Sequence, residues 1–600
     1  MSVRAGAPLV KRAIPSVVHI HTARDRRARK PSTYEGVPAV TDIASQPSAM
    51  DAIGDAYWEQ ALRLNPTAAT VYGDERYNHL LPDPSAAGRK AEIDAVRRAS
   101  DAADALPDAS LSNEDRITRA IFAVIAELAE EDEALHAYEV REVDQIYGPQ
   151  TVLPQVATFQ RADTPELLEA WLERLRAYGP HIDAHIEVLH EGRASGRTAA
   201  RIVAERTIDQ VRRLVDTPLD QAVIPGLSKV ATDEDRERVR EVVRDVVYPA
   251  DRRYLEALSG EYLAATRDVP GIVSAPGGEG LYRHFIRRWT TLDLDPRDVH
   301  QVGLDEYAHI DEERRTIARG AGFGDDVDAY RRSLLADPAN HAPTVEALLE
   351  HVTQAIDRAG AVAPQVFGRL PRASCIVKAV EPFKEKDAPP AYYYPPTIDG
   401  SRPGTYYINT VDLDGLALHK LAAYTFHEAI PGHHFQISLE MEHPQLGVFR
   451  RLGTRAVTGS YVEGWGLYAE RLADELGLYR DDGERLGMLD AQAWRAARLI
   501  VDSGLHGLGW TRQQSVDWLL TAGLTPTDAA IETDRYIAWP GQALSYMTGM
   551  REIRRLRQEL EARDGDRFDI KAFHDELIGH GSLPLVTLTT ELPRWVRPRA

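Results

Sequence analysis

The sequence predicts a mainly helical protein that carries a small β-sheet. From about residue 50 to residue 370, apolar residues recur at three- and four-residue steps, as they do along one face of a helix. Near residue 370 the pattern changes to short aromatic and β-branched runs, and helical spacing returns near Leu416. A chain of 600 residues is long enough for two lobes. We expect a helical lobe at 49–370 and a second lobe at 371–600, with a soft boundary between them.

The segment that begins at Thr164 illustrates the helical pattern. Thr164 is a suitable N-cap, and Pro165 suits the first position of a helix. Leu168, Trp171 and Leu175 continue one apolar stripe at three- and four-residue steps. The sequence therefore predicts that a long helix starts at Thr164.

The small sheet is predicted from three short runs. Ser374 to Val380 is largely apolar, and residues 392–394 and 405–408 are rich in tyrosine. Prolines and glycines separate the runs as turns. The aromatic runs, which include Tyr406 and Tyr407, could form an edge strand that binds an extended peptide substrate. Ordinary packing within a sheet explains the same pattern equally well.

Residues 1–48 form an N-terminal tail that we expect to be disordered. The first 30 residues carry eight arginines and lysines, and short apolar pieces between them are interrupted by prolines. This is a poor signal peptide, because no apolar core precedes a small-residue cleavage site. The sequence has no run of 18 apolar residues, so no membrane-spanning helix is expected. We therefore expect a cytoplasmic protein without a membrane partner.

Composition narrows the class of partner. The formal net charge of −21 argues against nucleic-acid binding, which usually requires a basic face. Cys375 is the single cysteine, so a disulfide within the chain is excluded. Its apolar neighbours indicate a buried thiol rather than a nucleophile. The composition leaves a small-molecule or peptide substrate open and gives no indication of the oligomeric state.

A histidine-rich segment near residue 430 is the first candidate for chemistry. His427 and Glu428 are followed by Pro431, Gly432 and His433. The segment resembles the zinc-binding helix His-Glu-x-x-His, in which two histidines bind the metal and the glutamate is the general base. Here the second histidine is six residues after the first rather than four. A hydrogen-bonded helix end without metal is the simpler alternative for this segment alone.

The two extra residues between the histidines decide which histidine can share a metal with His427. In an unbroken helix, six residues turn the chain by roughly 600°, so His433 would face away from His427. His434 would lie on the same face but about 10.5 Å further along the axis, too far for a shared zinc ion. Pro431 cannot continue the helical hydrogen bonds, so the helix must bulge or break. We expect a two-residue bulge that brings His433 beside His427, with His434 as the rival ligand.

A second motif lies about thirty residues further on. Glu463 is followed by glycines and aromatic residues in a run with helical spacing. A catalytic zinc ion bound by two histidines needs a third protein ligand and an open position for water, and a carboxylate on the next helix supplies that ligand. Glu470, seven residues later, could orient a ligand, although a solvated helix face is the favoured interpretation.

Together these motifs resemble a known family, catalogued as domain of unknown function 885 and grouped with helical zinc metallopeptidases. The run from His427 to His433 matches its signature His-Glu-x-x-Pro-Gly-His, and Glu463 begins its Glu-Gly-Trp motif. The resemblance covers about residues 50–598 as one continuous domain. It implies a large, two-lobed, zincin-like fold with the sheet near the active site, and one Zn²⁺ per chain.

The resemblance implies a zinc-dependent hydrolase that cleaves short peptides through a metal-activated water. We expect His427, His433 and Glu463 to bind zinc and Glu428 to be the general base. Further residues are expected to stabilise the oxyanion or to bind the substrate. The oxyanion candidates are His506, Tyr536 and Tyr546, and the substrate-binding candidates are Arg535, Tyr406 and Tyr407.

Two alternatives remain open at this point. One is an amidase that acts on a non-peptide amide, and the other is an inactive relative that binds peptides. The presence of Glu428 argues against the inactive relative, because a protein that only binds peptides needs no general base.

Overall fold

A computed structural model describes residues 47–221, 224–380, 390–396, 402–413 and 415–598. Residues 1–46 of the predicted tail lie outside these ranges. Helices make up most of the described chain, and one three-stranded sheet accompanies them, which confirms the predicted fold class. Within these ranges, no helix is both long enough and apolar enough to span a bilayer.

The α-helices of the described residues are, in chain order, α1 (Ala49–Leu64), α2 (Pro66–Val71), α3 (Ala86–Asp104), α4 (Asn113–Ala134), α5 (Ala137–Arg141), α6 (Val152–Ala157), α7 (Pro165–Ser195), α8 (Arg201–Asp216), α9 (Asp233–Val242), α10 (Tyr248–Ala257), α11 (Leu263–Ala265), α12 (Gly278–Thr290), α13 (Pro296–Gly320), α14 (Val327–Ala336), α15 (Val345–Val362), α16 (Leu418–Glu428), α17 (His433–Met441), α18 (Gly459–Glu475), α19 (Asp482–Leu508), α20 (Arg512–Thr521), α21 (Pro526–Ala538), α22 (Ser545–Asp564), α23 (Ile570–Gly579) and α24 (Leu585–Trp595).

The helix ends follow the local sequence. The Thr164 side chain accepts a hydrogen bond from the amide of Leu167, so the helix start predicted there is confirmed. Ser48 caps α1 in the same way through the amide of Asp51. Helix α7 ends at Gly196, whose φ of 76° is a left-handed conformation that glycine adopts without steric cost.

The sheet consists of β1 (Cys375–Ala379), β2 (Ala391–Tyr394) and β3 (Gly404–Ile408), in the order β1-β3-β2. Strand β3 pairs in parallel with β1 and antiparallel with β2. The prediction that Tyr406 and Tyr407 belong to an edge strand is therefore wrong. Both sides of their strand are already paired, so it cannot add a peptide strand.

One hydrophobic core connects the first helices to the last. Its buried residues run from Met50 to Val596 and cross the boundary predicted near residue 370. Helix α13 packs along α19, and α18 packs along α22. Gly464 and Gly549 allow the second contact, because a Cβ on Gly464 would lie 2.4 Å from the carbonyl carbon of Gly549. This close approach fixes the helix that carries Glu463 against the helix that carries Tyr546.

Candidate metal centre

The chain breaks between two helices at the histidine-rich segment. Helix α16 ends at Glu428, the Ile430–Pro431 peptide bond is cis, and α17 begins at His433. The expected two-residue bulge does not form, because the helix ends completely and a new one starts. Gly432 is needed at this point, since a Cβ there would lie 1.9 Å from the carbonyl oxygen of His427.

The break places the two histidines side by side. The ring centroids of His427 and His433 are 4.7 Å apart, with an interplanar angle of 83°. Ring nitrogens of both histidines and a carboxylate oxygen of Glu428 lie within 4.8 Å of one another. Glu463 on α18 completes the group. Its Oε2 is 3.5 Å from Nε2 of His427 and 3.6 Å from Nε2 of His433.

These distances suit a metal ion. Ligand atoms that bind one zinc ion tetrahedrally, each at about 2.1 Å, lie about 3.4 Å apart. Two imidazole nitrogens and one carboxylate oxygen are also a donor set that zinc accepts in catalytic sites. His427, His433 and Glu463 could therefore hold a zinc ion. Glu428 lies beside them, where its carboxylate could act as a base.

Glu470 orients His427, and the interpretation of Glu470 as part of a solvated helix face is wrong. The residue is fully buried, and its Oε1 accepts a hydrogen bond from Nδ1 of His427 at 2.8 Å. Gln492 on α19 donates to Oε2 of the same carboxylate at 2.9 Å. Because Glu470 holds Nδ1, Nε2 of His427 is directed to the side where Glu463 lies. Gly466 makes room for this ring, because a Cβ there would lie 2.7 Å from it.

Electrostatics in the group favour a bound cation. Burial lowers the pKa of His427, but hydrogen bonds with Glu463 and Glu470 outweigh burial and raise this pKa to about 9. Burial acts to raise the pKa of Glu463, but His427 and His433 hold this pKa well below its ordinary value. Glu463 is therefore an ionised carboxylate at neutral pH, as a metal ligand must be.

His434 faces the sheet rather than Glu463. Its Nε2 donates to the carbonyl oxygen of Ala373 at 3.1 Å, and its Nδ1 accepts from the hydroxyl of Tyr393 at 2.9 Å. Burial lowers the pKa of His434 to about 4. Gly404 gives the ring its space, since a Cβ there would lie 2.5 Å from Nδ1. With both nitrogens engaged, His434 holds α17 against the sheet.

The centre faces an internal cleft. The Glu463 side chain is 26% exposed, so it borders an open space that we call the cleft. Three further side chains combine a deep position with partial exposure. They are Tyr424 on α16, Arg535 on α21 and Tyr546 on α22.

Tyr546 and Tyr536, both predicted as oxyanion donors, differ in position. Tyr546 borders the cleft and interacts electrostatically with Glu463. Tyr536 is only 1% exposed, and its hydroxyl donates to Oε2 of Glu532 at 2.6 Å. The same hydroxyl accepts from Nε of Arg498 at 3.0 Å. The prediction for Tyr536 is corrected, because its only proton is already committed to Glu532.

The structure also corrects His506. This residue is fully buried, with Nε2 donating to the carbonyl oxygen of Tyr536 at 3.0 Å. Its Nδ1 accepts from the amide of Ile272 at 3.0 Å. Burial lowers the pKa of His506 to about 3. The ring therefore has no N–H left for a reaction intermediate and instead connects three segments of the core.

The three predicted substrate-binding residues lie in different surroundings. Arg535 borders the cleft, but its guanidinium bonds Glu532 and Gln542, each at 2.8 Å. Tyr406 has no exposed surface and cannot touch a substrate. Tyr407 is half-buried and stacks on Tyr392 at 5.1 Å. Of the three, Arg535 alone lies at the cleft of the metal centre.

Sequence reasoning missed four residues around the centre, namely Glu470 as a buried partner, Gln492, Arg495 and Arg498. A signal for the two arginines was present, because they lie three residues apart in the largely apolar run from Ala493 to Val501 on α19. Charged residues at core positions need partners or a function.

The fold and site define a class of mainly helical proteins with one small sheet and an internal His–His–Glu centre. The chain belongs to the family DUF885, described as bacterial protein of unknown function, whose model matches residues 66–592. A comparison with curated proteins finds no match.

Two solved structures resemble this fold. A candidate lipoprotein from Colwellia psychrerythraea is 27% identical, with a TM-score of 0.83 over 92% of this chain and 99% of that one. A candidate lipoprotein of unknown function from Shewanella oneidensis is 19% identical, with a TM-score of 0.70 over 90% of this chain and 99% of that one. The second likeness concerns the fold alone.

Proposed function

We propose that this protein is a zinc-dependent metallopeptidase that cleaves short peptides. The observation that carries the proposal is the position of Glu463, whose Oε2 lies 3.5 and 3.6 Å from Nε2 of His427 and His433. Glu428 supports it, because its carboxylate lies within 4.8 Å of the same imidazoles. One zinc ion per chain fits this donor set.

The residues around that centre have separate roles in the reaction. Zinc, when bound, supplies a Lewis acid and lowers the pKa of water. Glu428 accepts the proton of the attacking water on a carboxylate oxygen and delivers it to the leaving nitrogen. Tyr546, which borders the same cleft, offers a hydroxyl donor for the charge that develops on the carbonyl oxygen. Glu470 keeps the imidazole of His427 in the required tautomer.

Metal analysis and a peptide digest test this function together. We expect roughly one zinc per chain in the wild type and in His434→Ala, and none in His433→Ala. His434→Ala is the matched control, because the neighbouring ring is also buried but its nitrogens bond Ala373 and Tyr393. The wild type should cleave a mixture of short peptides, and a chelator should stop the cleavage.

Glu428→Gln separates catalysis from binding. This variant should retain zinc and lose peptide cleavage by about 10²-fold or more, since general base catalysis contributes about 10²–10⁴-fold. Zinc-loaded protein that leaves all peptides intact but turns over simple amides would favour the amidase. A wild type that takes up no metal would overturn the metallopeptidase.

A further inference from the structure

A group of three arginines lies beside the metal centre, and we call Arg495, Arg498 and Arg535 the arginine group. Arg495 and Arg498 are one helical turn apart on α19 and are only 6% and 4% exposed. All three guanidinium groups lie within electrostatic reach of Tyr546, which in turn interacts with Glu463. Tyr546 therefore lies near both the arginine group and the metal centre.

The arginine group carries excess positive charge. Among the described residues, its ion pairs involve a single carboxylate, that of Glu532, at 2.8 Å from Arg535 and 3.5 Å from Arg498. Arg495 forms no ion pair within that part of the chain. Burying an uncompensated cation is costly, so such a group is expected to meet an anion.

Two donors of the arginine group are left for that anion. Nη1 of Arg498 and Nε of Arg495 are buried, and neither has a hydrogen-bond partner among the described residues. A buried charged donor without a partner destabilises the fold, and a bound anion would remove that cost. Arg535 differs, because Gln542 and Glu532 already occupy its guanidinium.

Aromatic rings hold the two guanidinium planes in place. Arg498 lies 4.3 Å from the ring centroids of Trp494 and of Tyr546, and Arg495 lies 4.8 Å from Trp494. Stacking fixes the fork of each guanidinium before any ligand arrives. A fixed guanidinium fork matches the two oxygens of a carboxylate.

Helix α19 sets the distance between this group and the metal centre. Gln492 bonds Glu470, the partner of His427, and therefore marks the level of the metal centre on α19. Arg495 and Arg498 follow at roughly 4.5 and 9 Å further along the helix axis, at 1.5 Å per residue. One or two residues of an extended peptide span about 3.5–7 Å, a range that overlaps these distances.

We propose that Arg495 and Arg498 bind the terminal carboxylate of a peptide substrate, so that the enzyme removes one or two residues from the carboxyl end. This inference rests on the proposed metallopeptidase function. In the reaction the peptide C–N bond breaks and one water is added. Its hydroxyl goes to the carbonyl carbon, and a proton goes to the released amine.

A matched pair of peptides tests the inference. The two peptides share one sequence and differ only in a free or an amidated C-terminus. Zinc-loaded wild type should cleave the free acid with a kcat/KM about 10–100-fold higher, as expected for charge-assisted hydrogen bonds. Arg498→Gln and Arg495→Gln should each remove most of this preference by slowing cleavage of the acid. Arg485→Gln, a surface position of α19 paired with Asp474, should keep the preference.

A binding measurement keeps this inference separate from the peptidase function. In Glu428→Gln protein, the free acid should bind more tightly than the amide, and adding Arg498→Gln should abolish the difference. If no peptide is cleaved by any protein but this binding difference persists, the peptidase function fails and the carboxylate site stands. Equal binding of acid and amide would overturn the site. Equally tight binding of an amide that ends in Glu would overturn its assignment to the chain end.

The variant Arg498→Lys tests whether misfolding causes the loss of preference for the free acid. This variant keeps the charge and removes the fork, so it should retain the wild-type melting temperature and part of the preference for the acid. Full preference in Arg498→Lys and in both glutamine variants would overturn the proposal.

Discussion

His427 and His506 are both buried within helices, yet their ring nitrogens meet opposite surroundings. His427 lies between two carboxylates, those of Glu470 and Glu463. His506 lies between a backbone amide and a backbone carbonyl. Burial lowers the pKa of both rings, but the carboxylates raise that of His427 to about 9, while that of His506 falls to about 3. The partners of a buried histidine, rather than its burial, indicate whether it could bind a metal.

The largest expected effect comes from removing the imidazole of His427 in one variant and that of His506 in another. His427→Ala should eliminate zinc binding, because two of three protein ligands do not hold a catalytic zinc ion well. His506→Ala should keep the zinc and lower the free energy of unfolding by about 1–3 kcal/mol for each backbone group left unpaired. Metal analysis and denaturant unfolding of both variants measure the contrast. Loss of zinc in both variants, or in neither, would contradict the expected contrast.

A smaller effect is expected from Glu470→Gln. The variant keeps the size of the side chain but replaces the carboxylate that accepts the proton of Nδ1. Loss of such an outer partner weakens metal binding by about 10–100-fold. Competition with a chelator of known affinity measures this loss. Glu440→Gln is a suitable control, since Glu440 is equally buried but bonds Ser582 instead of a ligand. An unchanged affinity in Glu470→Gln would show that His427 needs no orienting partner.

The same comparison shows what could be predicted from the sequence. The break at Pro431 depends on the missing amide of proline and on the small size of Gly432, both of which are local properties. The sequence therefore predicted an interrupted helix there, although it favoured a bulge over a break. The helix start at Thr164 was predicted for the same reason, because its cap depends on residues three positions apart.

The rest depended on contacts between distant segments. Glu470 is buried because α19 brings Gln492 over it, and its spacing from Glu463 fits a solvated face equally well. Tyr406 lies in the middle of the sheet because β1 and β2 pair on either side of its strand, an order that strand propensity does not reveal. The His506 ring is occupied by Ile272, which is 234 positions away.

The smallest expected effect is the contribution of His506 to the pH dependence of the free energy of unfolding. Its folded-state pKa of about 3 lies below the ordinary value of 6.5, so the unfolded chain binds the proton more readily between these values. The stability that the neutral ring contributes is complete above pH 6.5 and is lost as the pH falls towards 3. For one histidine the slope is about 1.4 kcal/mol per pH unit. His506→Gln should reduce the slope of the metal-free protein by this amount between pH 4 and 6.

Denaturant unfolding at several pH values measures that slope, and an exposed histidine provides the control. The side chain of His190 is 55% exposed, so His190→Gln should leave the slope unchanged. An unchanged slope in His506→Gln would mean that the ring is protonated within the core, where its Nδ1 could no longer accept the amide of Ile272. His506 would then resemble His427 in its charge, and the hydrogen-bond partners alone would not distinguish the two histidines.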